Sequence, residues 1–128
     1  MEHSRHYSPE EANEALPRVV ELLDDLRDAR ARLSDREARE ALAEAAPANG
    51  GGEAGRTVSQ GFLDIRDALR ELQERQVVLR DLDRGLVDFP ALRDGREVYL
   101  CWEEGEEEVG FWHEPDAGHA GRRPLDDG

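Results

Sequence analysis

The sequence predicts an α+β protein: a long antiparallel helical hairpin of coiled-coil character, followed by a small three-stranded antiparallel β-meander packed on one end of it. Three observations carry that expectation. Two stretches repeat apolar residues at steps of four and three, a Gly- and Pro-rich connector separates them, and beyond Gly85 the apolar period drops from about 3.5 to 2.

Composition sets the outer bounds. A length of 128 residues allows one domain, or a domain with an appendage. The formal charge is 17 − 31 = −14, and every basic residue is Arg. Leu, Ile, Val and Phe number 27, close to the fraction at which chains stay unfolded, so patterning has to decide whether this one folds. There is no apolar run of the roughly 18 residues that a membrane span needs, and Met1-Glu2-His3-Ser4-Arg5 leads into no apolar leader. A cytoplasmic protein without a membrane role is expected. Its one cysteine, Cys101, excludes an internal disulfide and a thiolate-cluster zinc site. The negative field repels phosphate backbones, which argues against nucleic acid and suits a basic protein or a divalent cation.

Residues 1–8 read as a flexible N-terminus. Ser8-Pro9 with Glu11 is a capping box opening a first helix over 9–45, in which Ala12, Leu16, Val19, Leu23, Leu26 and Leu33 form a seam. Pro17 sits well past the start and predicts a kink. A connector follows over 46–56. Thr57 with Gln60 opens a second helix over 57–84, whose seam is Val58, Phe62, Ile65, Leu69, Leu72, Gln76, Leu79 and Leu82, with Gly85 as its stop. The meander spans 86–114. Its first strand carries Pro90 and belongs at an edge, Asp94-Gly95 is a tight turn, and Val98, Leu100 and Trp102 are matched to Val109, Phe111 and His113 on the face toward the helices. Residues 115–128 form a C-terminal loop and tail.

The C-terminal words carry a resemblance. Gly85-Leu86-Val87-Asp88-Phe89-Pro90, Asp94 through Trp102, Trp112-His113-Glu114 and Ala120-Gly121-Arg122, with Glu10-Glu11-Ala12-Asn13 and Leu16-Pro17 near the start, resemble the small prokaryotic family catalogued as domain of unknown function 2203. The resemblance implies a small cytosolic helix-hairpin-plus-sheet protein, and it brings no activity with it.

Candidate sites follow from chemistry and compete with plainer explanations. His113, Glu114 and Asp116 gather imidazole and carboxylates that suit a divalent metal, but without the helical spacing of a zincin. The plain alternative is a hydrogen-bonded histidine at a sheet end. Arg122 and Arg123 after two glycines could hold an acidic ligand, or could pair with nearby acids. Tyr99, Cys101 and Trp112 fall on the sheet face away from the helices, where they would form a partner-binding patch unless the tail covers them. Cys101 has no general base beside it in sequence. Asp88 becomes a site only if a solvent-reachable cleft meets it; otherwise it is an ion pair, with Arg84 or Arg96. A two-helix hairpin leaves shoulders uncovered, so a dimer through the helices is expected. Two functions follow: a non-enzymatic oligomerising or protein-interaction module, or a small-ligand or metal-binding protein, possibly enzymatic, using His113, Glu114, Asp116, Arg122 and Asp88.

Overall fold

The computed structural model describes residues 2–33 and 53–125, with side chains in the second helix from residue 60 onward. It is α+β, with two helices and a five-stranded antiparallel sheet. The elements are α1 (Pro9–Arg32), α2 (Glu53–Glu74), β1 (Val78–Asp81), β2 (Leu86–Arg93), β3 (Arg96–Glu103), β4 (Phe111–His113) and β5 (Arg123–Pro124), with a short 3-10 turn at His119–Gly121. The chain divides into two compact units, 1–20 with 72–128, and 21–71. The expected helical turns over 34–45 and most of the expected connector lie outside the described residues, as do the Thr57 and Val58 side chains.

In the helical unit, α1 buries Leu22, Leu23, Leu26, Ala29 and Leu33, and α2 buries Ala68 and leaves Phe62 and Ile65 half-buried. Arg32 donates to Asp64 at 2.7 Å. Gly61 lets the helices approach there: a β-carbon on it would stand 3.2 Å from Leu33 Cδ2, inside ordinary contact. Leu69, expected in the seam, is exposed. The helix runs unbroken through Pro17.

α1 starts as its sequence dictates. The Ser8 N–H donates to Glu11 Oε1 at 2.9 Å and the Glu11 N–H to Ser8 Oγ at 3.1 Å, which closes the capping box. α2 departs from expectation at both ends. It already runs at Glu53, and it stops at Glu74 instead of continuing to 84. The stop is a Schellman motif: the Val77 N–H reaches the Leu72 carbonyl, the Gln76 N–H reaches Gln73, and Gln76 takes φ 59°. Glutamine in a left-handed position is unusual. Here its side chain is used, because Oε1 accepts from the Ser4 and Arg5 N–H groups and Nε2 donates to Ser4 Oγ at 2.7 Å.

Residues 78–81, expected in the helix with Leu79 in its seam, instead form edge strand β1, and Gly85 (φ 64°) belongs to the turn into β2. The strands follow in sequence order, β1-β2-β3-β4-β5, so the expected three-stranded meander is the centre of a larger sheet. Asp94 (φ 53°) and Gly95 (φ 78°) make the β2–β3 hairpin turn, as two left-handed central residues should. Pro90 is not on a sheet edge, yet the edge rule holds locally. β1 pairs only with Leu86–Asp88, and beyond it the Pro90 carbonyl accepts the Tyr7 N–H at 2.7 Å. Residues 2–8 are thereby tied to the sheet, where the sequence suggested a flexible arm.

The β3–β4 register corrects the expected one by a residue. Leu100 faces Trp112, Tyr99 faces His113 and Cys101 faces Phe111. One face therefore carries Val87, Phe89, Val98, Leu100, Trp102 and Trp112, and the other carries Asp88, Pro90, Tyr99, Cys101 and His113, all of them buried. The sheet is covered on both sides. On the first, Tyr7 packs edge-on against Phe89 at 5.2 Å between centroids, and Asn13 Oδ1 of α1 accepts the Val109 N–H at 2.7 Å. On the second lie the N-terminal segment and the C-terminal loop.

Candidate functional site

The second face holds a buried polar cluster. Asp88 on β2 stands directly opposite Cys101 on β3, and His113 on β4 is opposite Tyr99, so the sheet sets Asp88, Cys101 and His113 on one diagonal. β1 adds Arg80, whose Nε donates to Asp88 Oδ2 at 2.8 Å. His113 Nε2 lies 2.9 Å from the same oxygen, and both Asp88 and His113 are only 2% exposed.

Hydrogen-bond chemistry places one ring proton. The Glu114 carbonyl can only accept, so His113 Nδ1, 2.7 Å from it, carries a hydrogen. The contact between Nε2 and Asp88 Oδ2 holds a second proton, and the direction of the His113 shift assigns it to the imidazole. Burial, the largest single influence, pulls the His113 pKa down, but the Asp88 hydrogen bond, the Glu114 carbonyl and the Asp88 charge together raise it above the ordinary value, with Arg80 opposing. Burial pushes the Cys101 thiol up to about 12, with the Asp88 charge adding and Arg122 opposing. The thiol is therefore protonated and no nucleophile as it stands.

The other Asp88 oxygen, Oδ1, is buried and has no hydrogen-bond partner. The residue Asp88, with Arg80, Leu86 and the loop 115–119, lines a cleft of about 280 Å³. Gly118, at φ 68°, provides the left-handed turn of that loop. His119 Nε2 on the cleft wall is likewise buried without a hydrogen-bond partner, although Glu103 Oε1 is 3.2 Å away. A buried carboxylate oxygen left unsatisfied costs stability, and residues that accept such a cost cluster at functional sites.

The sequence-predicted residues separate here. His113 joins Asp88, while Glu114 is held by Arg96 at 2.8 Å and Asp116 is exposed on the cleft rim. The Asp88 cation is Arg80; Arg84 instead pairs with Glu103. Arg122 lies over the Phe111 ring at 3.9 Å and pairs with Glu106 at 2.8 Å, whereas Arg123 lies over Trp112 at 5.5 Å, so the two do not form one anion fork. Tyr99, Cys101 and Trp112 are buried, which removes the exposed patch. Cys101 joins the site instead: Asp88, Cys101 and His113 each present a donor atom, all within 4.8 Å of one another. Glu2, His3 and Glu97 make a second such group, but there the Glu97 oxygens already accept from the Glu2 and His3 N–H groups and from His6 Nε2. Arg80 is not legible as a site residue in the sequence, because the helical rhythm of apolar residues runs on past it. Its spacing from Val78, which pairs with Asp88, becomes informative only once β1 is a strand.

A family model described as uncharacterized conserved protein (DUF2203) matches residues 5–125. No curated protein and no solved structure matches the chain. No helix among the described residues is long and apolar enough to cross a membrane.

The His113 shift has a definite sign. Its pKa is raised on folding, so its contribution to stability is full below the unfolded value, about 6.5, and is lost as pH rises through the folded value. In metal-free buffer, the stability advantage of wild type over His113→Gln, read from urea midpoints, should shrink over the range of rising pH above about 6.5. An advantage that stays level or grows over that range contradicts the imidazolium assignment.

Proposed function

Since the chain belongs to the uncharacterised conserved family DUF2203, whose description names no activity, we propose from the geometry that it is a small-ligand-binding protein with its site at the Asp88 cleft. One observation carries this reading: Asp88, which has a buried carboxylate oxygen without a hydrogen-bond partner, is among the residues that line an open cleft. Asp88 Oδ1 calls for a positive centre or a donor, and Arg80 and His119 can meet an acceptor. The ligand is thus small and polar, bringing a positive or donating group to Asp88 and an accepting group to Arg80 and His119. A volume of about 280 Å³ suits an amino-acid-sized compound.

Asp88→Asn is a poor test, because removing one partner of a buried ion pair costs about 3–5 kcal/mol by itself. Asp116→Ala and His119→Ala alter the cleft wall without touching that pair. Thermal unfolding should be followed with free amino acids, small hydroxy acids and phosphorylated metabolites, each with and without added zinc. At least one compound should raise the wild-type melting temperature by several degrees, equivalent to about 2–3 kcal/mol at a hundredfold excess over Kd. Both variants should lose most of that rise. No response from any compound, or a full response in both variants, overturns the reading.

Self-association through the helical hairpin is a second reading, favoured by Leu63 and Leu69, which are 39% and 40% exposed on α2. The Arg32–Asp64 pair and the Leu33–Gly61 approach are what an antiparallel pair would make. Sedimentation should then give a dimer for wild type and a monomer for Leu69→Asp, with the sheet unperturbed by circular dichroism. A monomeric wild type excludes it.

A further inference from the structure

We infer that Asp88, Cys101 and His113 form a three-ligand site for a zinc-class divalent ion, with the ion's fourth position opening into the cleft. This rests on the cleft being a ligand site and names the positive centre that Asp88 Oδ1 lacks.

Four features of the cluster support it. The donor set is one thiol sulfur, one imidazole nitrogen and one carboxylate oxygen within 4.8 Å, a combination that suits zinc or cobalt(II) and not the oxygen-seeking magnesium or calcium. The outer groups are already in place. His113 Nδ1–H is anchored on the Glu114 carbonyl, which aims Nε2 into the cluster as outer-shell partners of metal-bound histidines do, and Arg80 holds Asp88 Oδ2 so that Oδ1 is the free oxygen. All three residues are buried, yet Asp88 borders the cleft, which gives an ion its way in. Three protein ligands plus one open position is the arrangement of zinc sites that act on ligands, whereas structural sites are closed by four.

Binding releases the Cys101 thiol proton to solvent, because the ligand is the thiolate, and uses His113 Nε2 as the free ring nitrogen. To coordinate, the 2.9 Å contact between His113 Nε2 and Asp88 Oδ2 yields to Oδ1 and the three ligand atoms, now within 4.8 Å of one another, draw to the roughly 3.3 Å spacing of tetrahedral ligands about 2.05 Å from zinc.

The test is a cobalt(II) titration of the full, chelator-treated chain. One equivalent should produce a sulfur-to-cobalt charge-transfer band and visible bands of tetrahedral intensity, and zinc should bleach both. Cys101→Ser should abolish the charge-transfer band and weaken zinc binding by more than the 10–100-fold that losing an outer-shell partner costs. Cys101→Ala, an apolar replacement for a buried thiol, serves if the serine variant fails to fold. No sulfur band in wild type, or the same band in the cysteine variants, overturns the proposal. The outcomes separate from those of the ligand reading: a sulfur band without any cleft-dependent compound leaves the metal site standing alone, and a compound bound equally well without metal leaves only the cleft.

Discussion

The carboxylate of Asp88, buried in a sheet face, sets the terms for everything around it. A buried carboxylate of this kind is tolerated only with matching cations and donors. Arg80 from β1 and His113 from β4 supply them from either side of the β2–β3 pair. Both contacts need β1 to be a strand and β4 to sit in its observed register. The helix stop at Gln76 and the one-residue alignment of Trp112 with Leu100 are therefore requirements of the same buried charge.

Cover on both faces follows from the same constraint. A sheet with one wet face would hydrate Asp88 and leave Arg80 as an exposed pair worth little. Instead the N-terminal segment lies over this face, with His3 Nε2 3.0 Å from the Tyr99 hydroxyl and His6 2.9 Å from Glu97, and the loop 115–119 closes down to the cleft. Cover is incomplete at Arg80, whose side chain is 42% exposed on the cleft, while Asp88 Oδ1 beneath it is buried without a hydrogen-bond partner. That gap separates a structural ion pair from a binding site, and the functional reading depends on it.

Local signals in the sequence were legible where one residue type has one physical use. Ser8-Pro9 with Glu11 and Asp94-Gly95 both did what their chemistry dictates. The end of α2 was hidden because its left-handed residue is Gln76 and not glycine, and because Leu79 and Leu82 prolong the helical rhythm by chance into strand and turn. The register was hidden for another reason. Both sheet faces are buried, so apolarity did not favour either parity, and β4 has only three residues to vote with. That parity carried the site with it. Placing His113 with Leu100 assigned it to the core and read Cys101 as surface, whereas the true register joins both to Asp88. Asp88 itself was visible as a strand carboxylate between Val87 and Phe89; its partners were visible only in three dimensions. The two-residue β5 offers too little sequence for any periodicity.

The account stands on the charge state of one pair, and nitrogen-15 NMR of the His113 ring reads it directly. In metal-free protein near neutral pH, both ring nitrogens should resonate as protonated imidazolium, with the Nε2 proton shifted strongly downfield by Asp88. A ring with Nδ1 protonated and Nε2 bare, beside a neutral Asp88 carboxyl, would contradict it.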